Sequence, residues 1–383
     1  MERVDSNASA VSRTSRITRA ASLASRTSLA TKVTREPSIR HPRRASRAER
    51  VYGFSYLTDE NSKLLLYLGL TTSCILGTYT RLGLSSLTNY QGSFVSGPTV
   101  LWPNLTACIV MGMLQTLNKF AVISPVLFTS LTVGYCGQVS SFSSMVLEMF
   151  EHATNQGAKP THFPNRAYGI MEMLSVMFVH LFVSFSGLIF GMHLTKELGR
   201  FMEREKEDTV FAIRLKKLFT YCQVVFCLAA VPLLALHIVL AAVYGNFART
   251  WMLSVIFGIP GAFLRYFLSR WYNLKIKYFP LGTFLANVFA CALIAVFTLV
   301  QRGKLRDGTT IAKSVNTCRI VTALVSGFCG ALSTISTFIN EGYKLPFCKT
   351  LFYYTVSLFV SFCLIVVILG SYSWTRGLAP PIC

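Results

Sequence analysis

Charge is scarce in this chain. Asp, Glu, Lys and Arg make up 14% of its 383 residues, against about 25% in an ordinary soluble domain. That shortage excludes a soluble globular protein of this size. Acid is scarcer still, with 16 Asp and Glu against 37 Lys and Arg. The eleven cysteines include no CxxC pair and no metal-ligand spacing. Most of them, such as Cys74, Cys108, Cys227, Cys291 and Cys363, lie inside apolar runs. Neither structural disulfides nor a cysteine-based metal site is expected. Cys383 is the final residue, whereas a prenylated cysteine stands four from the end. No Walker-type phosphate loop occurs, so nothing points to ATP-driven pumping. His180, His193 and His237 stand alone and read as core or interface histidines, so no enzyme is expected.

Apolar length is what the chain has in abundance. Hydrophobic residues make up 52% of it, and several runs are long enough to cross the ~30 Å hydrocarbon core of a bilayer. Nine spans are expected, at 63–83, 100–118, 121–149, 169–195, 217–244, 251–270, 281–300, 318–341 and 349–371. The third and eighth are broken near their middles. Residues 1–50 differ from all of this, with 12 Lys/Arg, 4 Asp/Glu and no apolar period. They read as a disordered basic tail beside an anionic leaflet. The tail contains Arg43-Arg44-Ala45-Ser46, a spacing that basophilic kinases favour, while Glu2 and Asp5 argue against a mitochondrial transit peptide. By the positive-inside rule the N-terminus is cytoplasmic, and nine spans put the C-terminus outside. Loop 196–217 supports this orientation with seven Lys/Arg, whereas loop 301–319 dissents with five on the outer side.

The chain repeats itself. Gly134-Tyr135-Cys136-Gly137-Gln138-Val139-Ser140-Ser141-Phe142-Ser143-Ser144-Met145 aligns without a gap on Gly327-Phe328-Cys329-Gly330-Ala331-Leu332-Ser333-Thr334-Ile335-Ser336-Thr337-Phe338. Leu181-Phe182-Val183-Ser184-Phe185 matches Leu358-Phe359-Val360-Ser361-Phe362, Arg81 matches Arg265, and Asn104 matches Asn287. Each half is a four-span unit. The unpartnered fifth span flips the second unit, giving inverted repeats with an ion site near the midplane. The expected divisions are a tail (1–50), a first repeat (51–198), a basic loop with a linker helix (199–247) and a second repeat (248–383).

Several features read as an ion path. Non-helical backbone at membrane depth must be buried in protein or line a cavity. Ser140, Ser141, Ser143 and Ser144 crowd one break, and Ser333, Thr334, Ser336 and Thr337 the other. The amides of Asn104 and Asn287 offer N–H donors suited to an anion. Arg81 and Arg265 suit either snorkelling anchors or a pore mouth that concentrates anions. Glu148, Glu341 and Glu172 are caps or interfacial carboxylates, or relays if the protein exchanges protons.

Taken together these residues resemble the fluoride channel family, which includes the four-span bacterial Fluc proteins and their two-repeat eukaryotic relatives, the fluoride export (FEX) proteins of fungi. Gly261-Ala262, Arg265-Tyr266, Pro280, Gly282-Thr283, Asn287 and 327–338 follow the bacterial pattern almost residue for residue. The first repeat is looser, keeping Arg81, Asn104, Gly112 and Gly137–Phe142. The resemblance spans residues 63–371. It implies a passive fluoride channel in the plasma membrane, working as a monomer with internal pseudo-dimer symmetry and without a nucleic-acid partner. The implied fluoride pathway uses Phe142, Phe338, Asn104, Asn287, Ser143, Ser144, Ser336, Thr337 and Tyr354, with Arg81 and Arg265 at the vestibule. The implied structural Na+ uses backbone carbonyls of Gly137, Ser140, Gly330 and Ser333.

The sequence departs from that family in one respect. A bacterial repeat carries two phenylalanines three residues apart, but here the first repeat has Phe142 with Met145 and the second Ile335 with Phe338. Tyr353 and Tyr354 likewise stand against Val176 and Met177. One functional pore, Phe142 with Phe338, and one vestigial pore, Ile335 with Met145, are therefore expected. The alternatives are a fluoride/proton antiporter and a non-transporting membrane scaffold. In fold class the expectation is an all-α polytopic membrane protein of nine transmembrane helices, with two inverted four-helix repeats joined by a linker helix.

Overall fold

Backbone polar groups in hydrocarbon must be satisfied within their own segment, which commits long apolar runs to helices. The computed structural model describes residues 63–90, 99–120, 122–156, 163–165, 167–204 and 208–383. Residues 1–50, with the Arg43–Ser46 spacing, lie outside the described set. Among the described residues the structure is helical, apart from two isolated β-bridges.

The helices are α1 (Lys63–Thr88), α2 (Leu101–Lys119), α3 (Pro125–Thr129, extended by Ser130–Cys136 and Gly137–Val139), α4 (Phe142–Thr154), α5 (Tyr168–Arg204) and α6 (Asp208–Val243). They continue as α7 (Asn246–Tyr272), α8 (Leu281–Arg302), α9 (Val315–Ala323, extended by Leu324–Cys329 and Gly330–Leu332), α10 (Ile335–Lys344) and α11 (Phe347–Ile365, extended to Thr375). Among the described residues, six stretches are long and apolar enough to cross a membrane: Tyr168–Arg200, Arg214–Val243, Ala248–Tyr272, Leu281–Arg302, Val315–Lys344 and Phe347–Thr375. Helices α1 and α2 are rich in polar side chains. Thr72, Ser73, Thr78, Arg81 and Asn104 on them are buried, so their polarity faces protein.

Both breaks are built the same way. Ser130–Cys136 and Leu324–Cys329 form wide π-helical turns, each holding a glycine against a neighbouring helix. One short turn follows, and then Ser140 (ψ 149°) and Ser333 (ψ 158°) turn extended and end the helical ladder. Each chain restarts on a capped helix: Ser141 Oγ accepts from Ser144 N, and Thr334 Oγ1 from Thr337 N.

The two halves exchange their second half-helices. Helix α4 of the first half packs against α8 and α11 of the second, while α10 of the second packs against α2 and α5 of the first. Helix α1 lies on α7, and α6 packs on both. Helices α2 and α5 approach so closely that a Cβ on Gly191 would collide with the Ile109 carbonyl, and one on Gly112 with that of Leu188. At the far end of α4, Arg302 joins the halves. Its Nη1 donates to Glu151 Oε1 at 2.7 Å and its Nη2 to the Gln156 carbonyl at 2.8 Å.

Contrary to the expectation of no disulfide, Cys318 is bonded to Cys383 across 65 residues of sequence. The tail after α11 runs back beside the α8–α9 loop, where Ala379 N donates to the Arg302 carbonyl at 2.7 Å and Gly303 bridges Leu378. That fold-back brings together two cysteines whose spacing carries no signal.

Candidate functional site

The site is the junction of the two breaks. Cooperating hydroxyls knit it, and each repeat caps the other. Ser143 N, in the first turn of α4, donates to Ser333 Oγ at 3.0 Å, and Ser336 N, in the first turn of α10, donates to Ser140 Oγ at 3.1 Å. Ser143 Oγ reaches the Cys329 carbonyl at 3.3 Å, and Ser336 Oγ the Cys136 carbonyl at 3.1 Å. Ser144 and Thr337 end the hydroxyl chains, accepting from Ser141 at 2.8 Å and Thr334 at 3.5 Å. Thus Ser143 and Ser336 bind protein, while Ser144 and Thr337 are half-buried.

Both half-helices begin here, so two positive dipole ends face the junction. Arg81 and Arg265 add to that field. The expected positions for them, a snorkelling anchor or an open pore mouth, do not hold, because both side chains are buried at 3% and 2% exposure. Each instead ties the repeats together. Arg265 Nη2 donates to the Val133 carbonyl at 2.7 Å and its Nε to that of Ala331 at 2.8 Å, while Arg81 donates to the Ser326 carbonyl. Wide turns free carbonyls, and a guanidinium fork suits them better than an ammonium. Among the described residues no carboxylate is in ion-pair contact with either guanidinium. Two buried guanidiniums without a carboxylate in ion-pair contact favour an anion nearby.

Gly137 and Gly330 lie against these groups: a Cβ on Gly137 would collide with the Arg265 guanidinium, and one on Gly330 with that of Arg81. Gly137 and Gly330 open the last short turns, and Ser140 and Ser333 end them. Carbonyls at a helix end lack the i+4 partner. An oxygen-only set of this kind has the donor chemistry a hard cation takes. Among the described residues no cluster of His, Cys, Asp and Glu could hold a metal.

On one side of the junction, aromatic rings converge. Phe142 and Phe338 are fully buried, with centroids 5.2 Å apart and planes at 64°. Phe338 stacks on Tyr354 at 4.4 Å and tilts against Tyr353 at 4.8 Å. Beyond them, Glu341 accepts from Tyr353 (3.0 Å), Thr283 (2.8 Å) and Asn273 (2.9 Å). Asn287, buried on α8, takes the Thr334 N–H on its carbonyl at 2.8 Å and donates to the Thr334 carbonyl at 3.3 Å.

Among the described residues the other side has no such aromatic cluster. Met145 and Ile335 are fully buried. Asn104 takes the Ser141 N–H at 2.9 Å, and its amide nitrogen lies 3.2 Å from His180 Nδ1. The opposite ring nitrogen of His180 lies 3.4 Å from Glu148 Oε2. His237 is a satisfied core residue, 2.8 Å from the Tyr79 hydroxyl. His180 is not isolated, and the roles of Asn273 and Thr283 are not apparent in sequence. Its signal was the repeat alignment, which sets His180 opposite Ser357.

Comparison with known proteins follows the same lines. The family described as "CrcB-like protein, Camphor Resistance (CrcB)" matches residues 68–192 and again 252–371. The chain is 49% identical to Fluoride export protein 1 of Saccharomyces cerevisiae over 82% of its own length and 94% of that protein's. It is 40% identical to Fluoride export protein 1 of Candida albicans over 81% of its length and 80% of that protein's. A 110-residue stretch, 29% of this chain, is 36% identical to Fluoride-specific ion channel FluC 1 of Streptococcus pneumoniae and covers 86% of that protein. No solved structure matches the chain.

Proposed function

The chain belongs to the CrcB-like family, and on that premise we propose that it conducts fluoride passively out of the cell through one of two pseudo-symmetric paths. The observation that carries this reading is the edge-on contact of Phe142 with Phe338, one from each repeat, at 5.2 Å. A dehydrated anion needs a donor at every step. Ring edges carry positive partial charge and supply it where no N–H or O–H reaches.

The live path runs along α4, α8, α10 and α11. It offers Asn287, Phe142, Phe338, the Tyr354 hydroxyl, Ser144 and Thr337, while the hydroxyls of Ser143 and Ser336 bind the breaks together. Asn104 belongs to the vestigial path with Met145 and Ile335. Arg81 and Arg265 act from the centre on both, setting the sign of the permeant ion. Sodium, held by the carbonyls of Gly137, Ser140, Gly330 and Ser333, would tie the two breaks together and add to the same field.

The reciprocal packing of α4 and α10 supports two inverted four-helix repeats with α6 as linker, nine crossings in all. The protein then works as a monomer in the plasma membrane, N-terminus inside and C-terminus outside. An inside-negative potential drives fluoride outward by ~2.3 kcal/mol per 100 mV, so no fuel is needed. One observation favours proton exchange instead: Glu341 is buried among neutral donors, as a relay carboxylate would be.

The test is fluoride release from liposomes under a potassium diffusion potential. The channel predicts release that follows the potential, needs no pH gradient and persists in Glu341→Gln. Release that requires a pH gradient and vanishes in Glu341→Gln would establish exchange.

A further inference from the structure

We propose that His180 is the seal of the vestigial path, an inference that rests on the single-pore reading above. The repeat alignment places His180 opposite Ser357, one residue before Leu181 and Leu358. Both positions are buried. Ser357 is small and donates its hydroxyl to the Tyr353 carbonyl at 2.6 Å, within its own helix. His180 instead reaches across from α5 to α2 and α4.

The hydrogen bonds fix what the ring does. Ser141 N can only donate, so the Asn104 atom 2.9 Å from it is the carbonyl oxygen. The Asn104 atom facing His180 at 3.2 Å is then the amide nitrogen, which can only donate. Nδ1 therefore accepts, and the proton of the neutral imidazole sits on Nε2, 3.4 Å from Glu148 Oε2.

Closure follows in two ways. Asn104 spends on the ring an N–H that an anion would need. The Glu148 carboxylate also stands on this side, 3.4 Å from Nε2 and, among the described residues, without a hydrogen-bond partner at Oε2, and a carboxylate repels an anion. In the live path Asn287 turns its N–H to backbone at Thr334 rather than to a ring on another helix, and the Glu341 carboxylate, unlike that of Glu148, is satisfied by Tyr353, Thr283 and Asn273.

A basic mouth persists in front of this seal. A cavity of about 310 Å³ is lined by Thr116 and Lys119 of α2, His193 and Lys196 of α5, and Tyr343 of α10, among others. Among the described residues no acidic side chain lines it. His193 stands about 20 Å along α5 from His180. These three helices frame the vestigial path, which keeps an anion-attracting entrance and is blocked further in. Loss of the two phenylalanines is then not the whole closure, and restoring them must be insufficient.

The experiment reads unit fluoride current per protein in planar bilayers, using the full chain. Four proteins are compared: wild type, Phe142→Ile with Phe338→Met, Met145→Phe with Ile335→Phe, and the last pair with His180→Ser added. Loss of current in the first double variant upholds the single-pore reading. Retention overturns the single-pore reading, and with it the seal that rests on it. Given that loss, the seal predicts wild-type current from Met145→Phe with Ile335→Phe, and a doubling once His180→Ser is added. A doubling without His180→Ser overturns the seal alone. So does an unchanged unit current in the triple variant, whose first pore reports that it is folded.

Discussion

Ser140 and Ser336, from opposite repeats, hold each other at 3.0 Å, and the N–H of Ser336 donates to Ser140 Oγ at 3.1 Å. Ser143 and Ser333 repeat the arrangement at 2.9 Å and 3.0 Å. Each half-helix is thus capped by a hydroxyl of the other repeat, and neither break is complete alone.

Removing one cross-cap has a defined consequence. Ser333→Ala leaves the Ser143 N–H without its acceptor and lowers stability by about 1 kcal/mol. A thermal unfolding series in detergent should give Ser140→Ala a similar loss. In a double-mutant cycle, Ser140 and Ser336 should couple by about 0.5 kcal/mol or more. Additivity would contradict the hydroxyl–hydroxyl bond between Ser140 and Ser336, the backbone N–H of Ser336 being present in every variant.

The guanidinium ties should be costlier to remove. Arg265→Ala strands the carbonyls of Val133 and Ala331, at about 1–3 kcal/mol for each buried unpaired group. Arg265→Lys cannot reproduce the fork and should recover only part of the loss. Full recovery by lysine, read as thermal midpoint and folded yield, would show that charge alone matters.

Close helix approach gives a third outcome. Gly191→Ala drives a methyl into the Ile109 carbonyl, forcing α2 from α5 at about 1–3 kcal/mol. Lower folded yield is expected, with less effect from alanine at Gly83, whose surroundings are open.

The disulfide gives a reading of sidedness. Disulfides persist in oxidising compartments, so Cys318–Cys383 should lie on the outer face. In sealed right-side-out vesicles an impermeant maleimide should reach Cys383, the exposed partner of the bond, only after an external reductant. Cys348, exposed and free, should label only after permeabilisation. Labelling of Cys348 from outside would invert the orientation.

Much of this was legible in the sequence, for identifiable reasons. A run of glycine and hydroxyl residues inside an apolar span has no use in lipid, so the breaks at Ser140 and Ser333 announce themselves, and their recurrence exposes the repeat. Arginine is different. Arg81 and Arg265 read equally as surface anchors, because carbonyls freed by a wide turn leave no mark in sequence. Cys318 and Cys383 meet only through the fold-back beside Arg302. The contact of His180 with Asn104 depends on the gap between α2 and α5, although the substitution of histidine for serine was visible in the alignment.

Whether fluoride passes where Phe142 meets Phe338 is read from fluoride efflux from liposomes holding wild type, Phe142→Ile with Phe338→Met, or Ile335→Ala with Met145→Ala. Loss of efflux in the first double variant and its retention in the second is the expected result. Efflux that survives in both would contradict it.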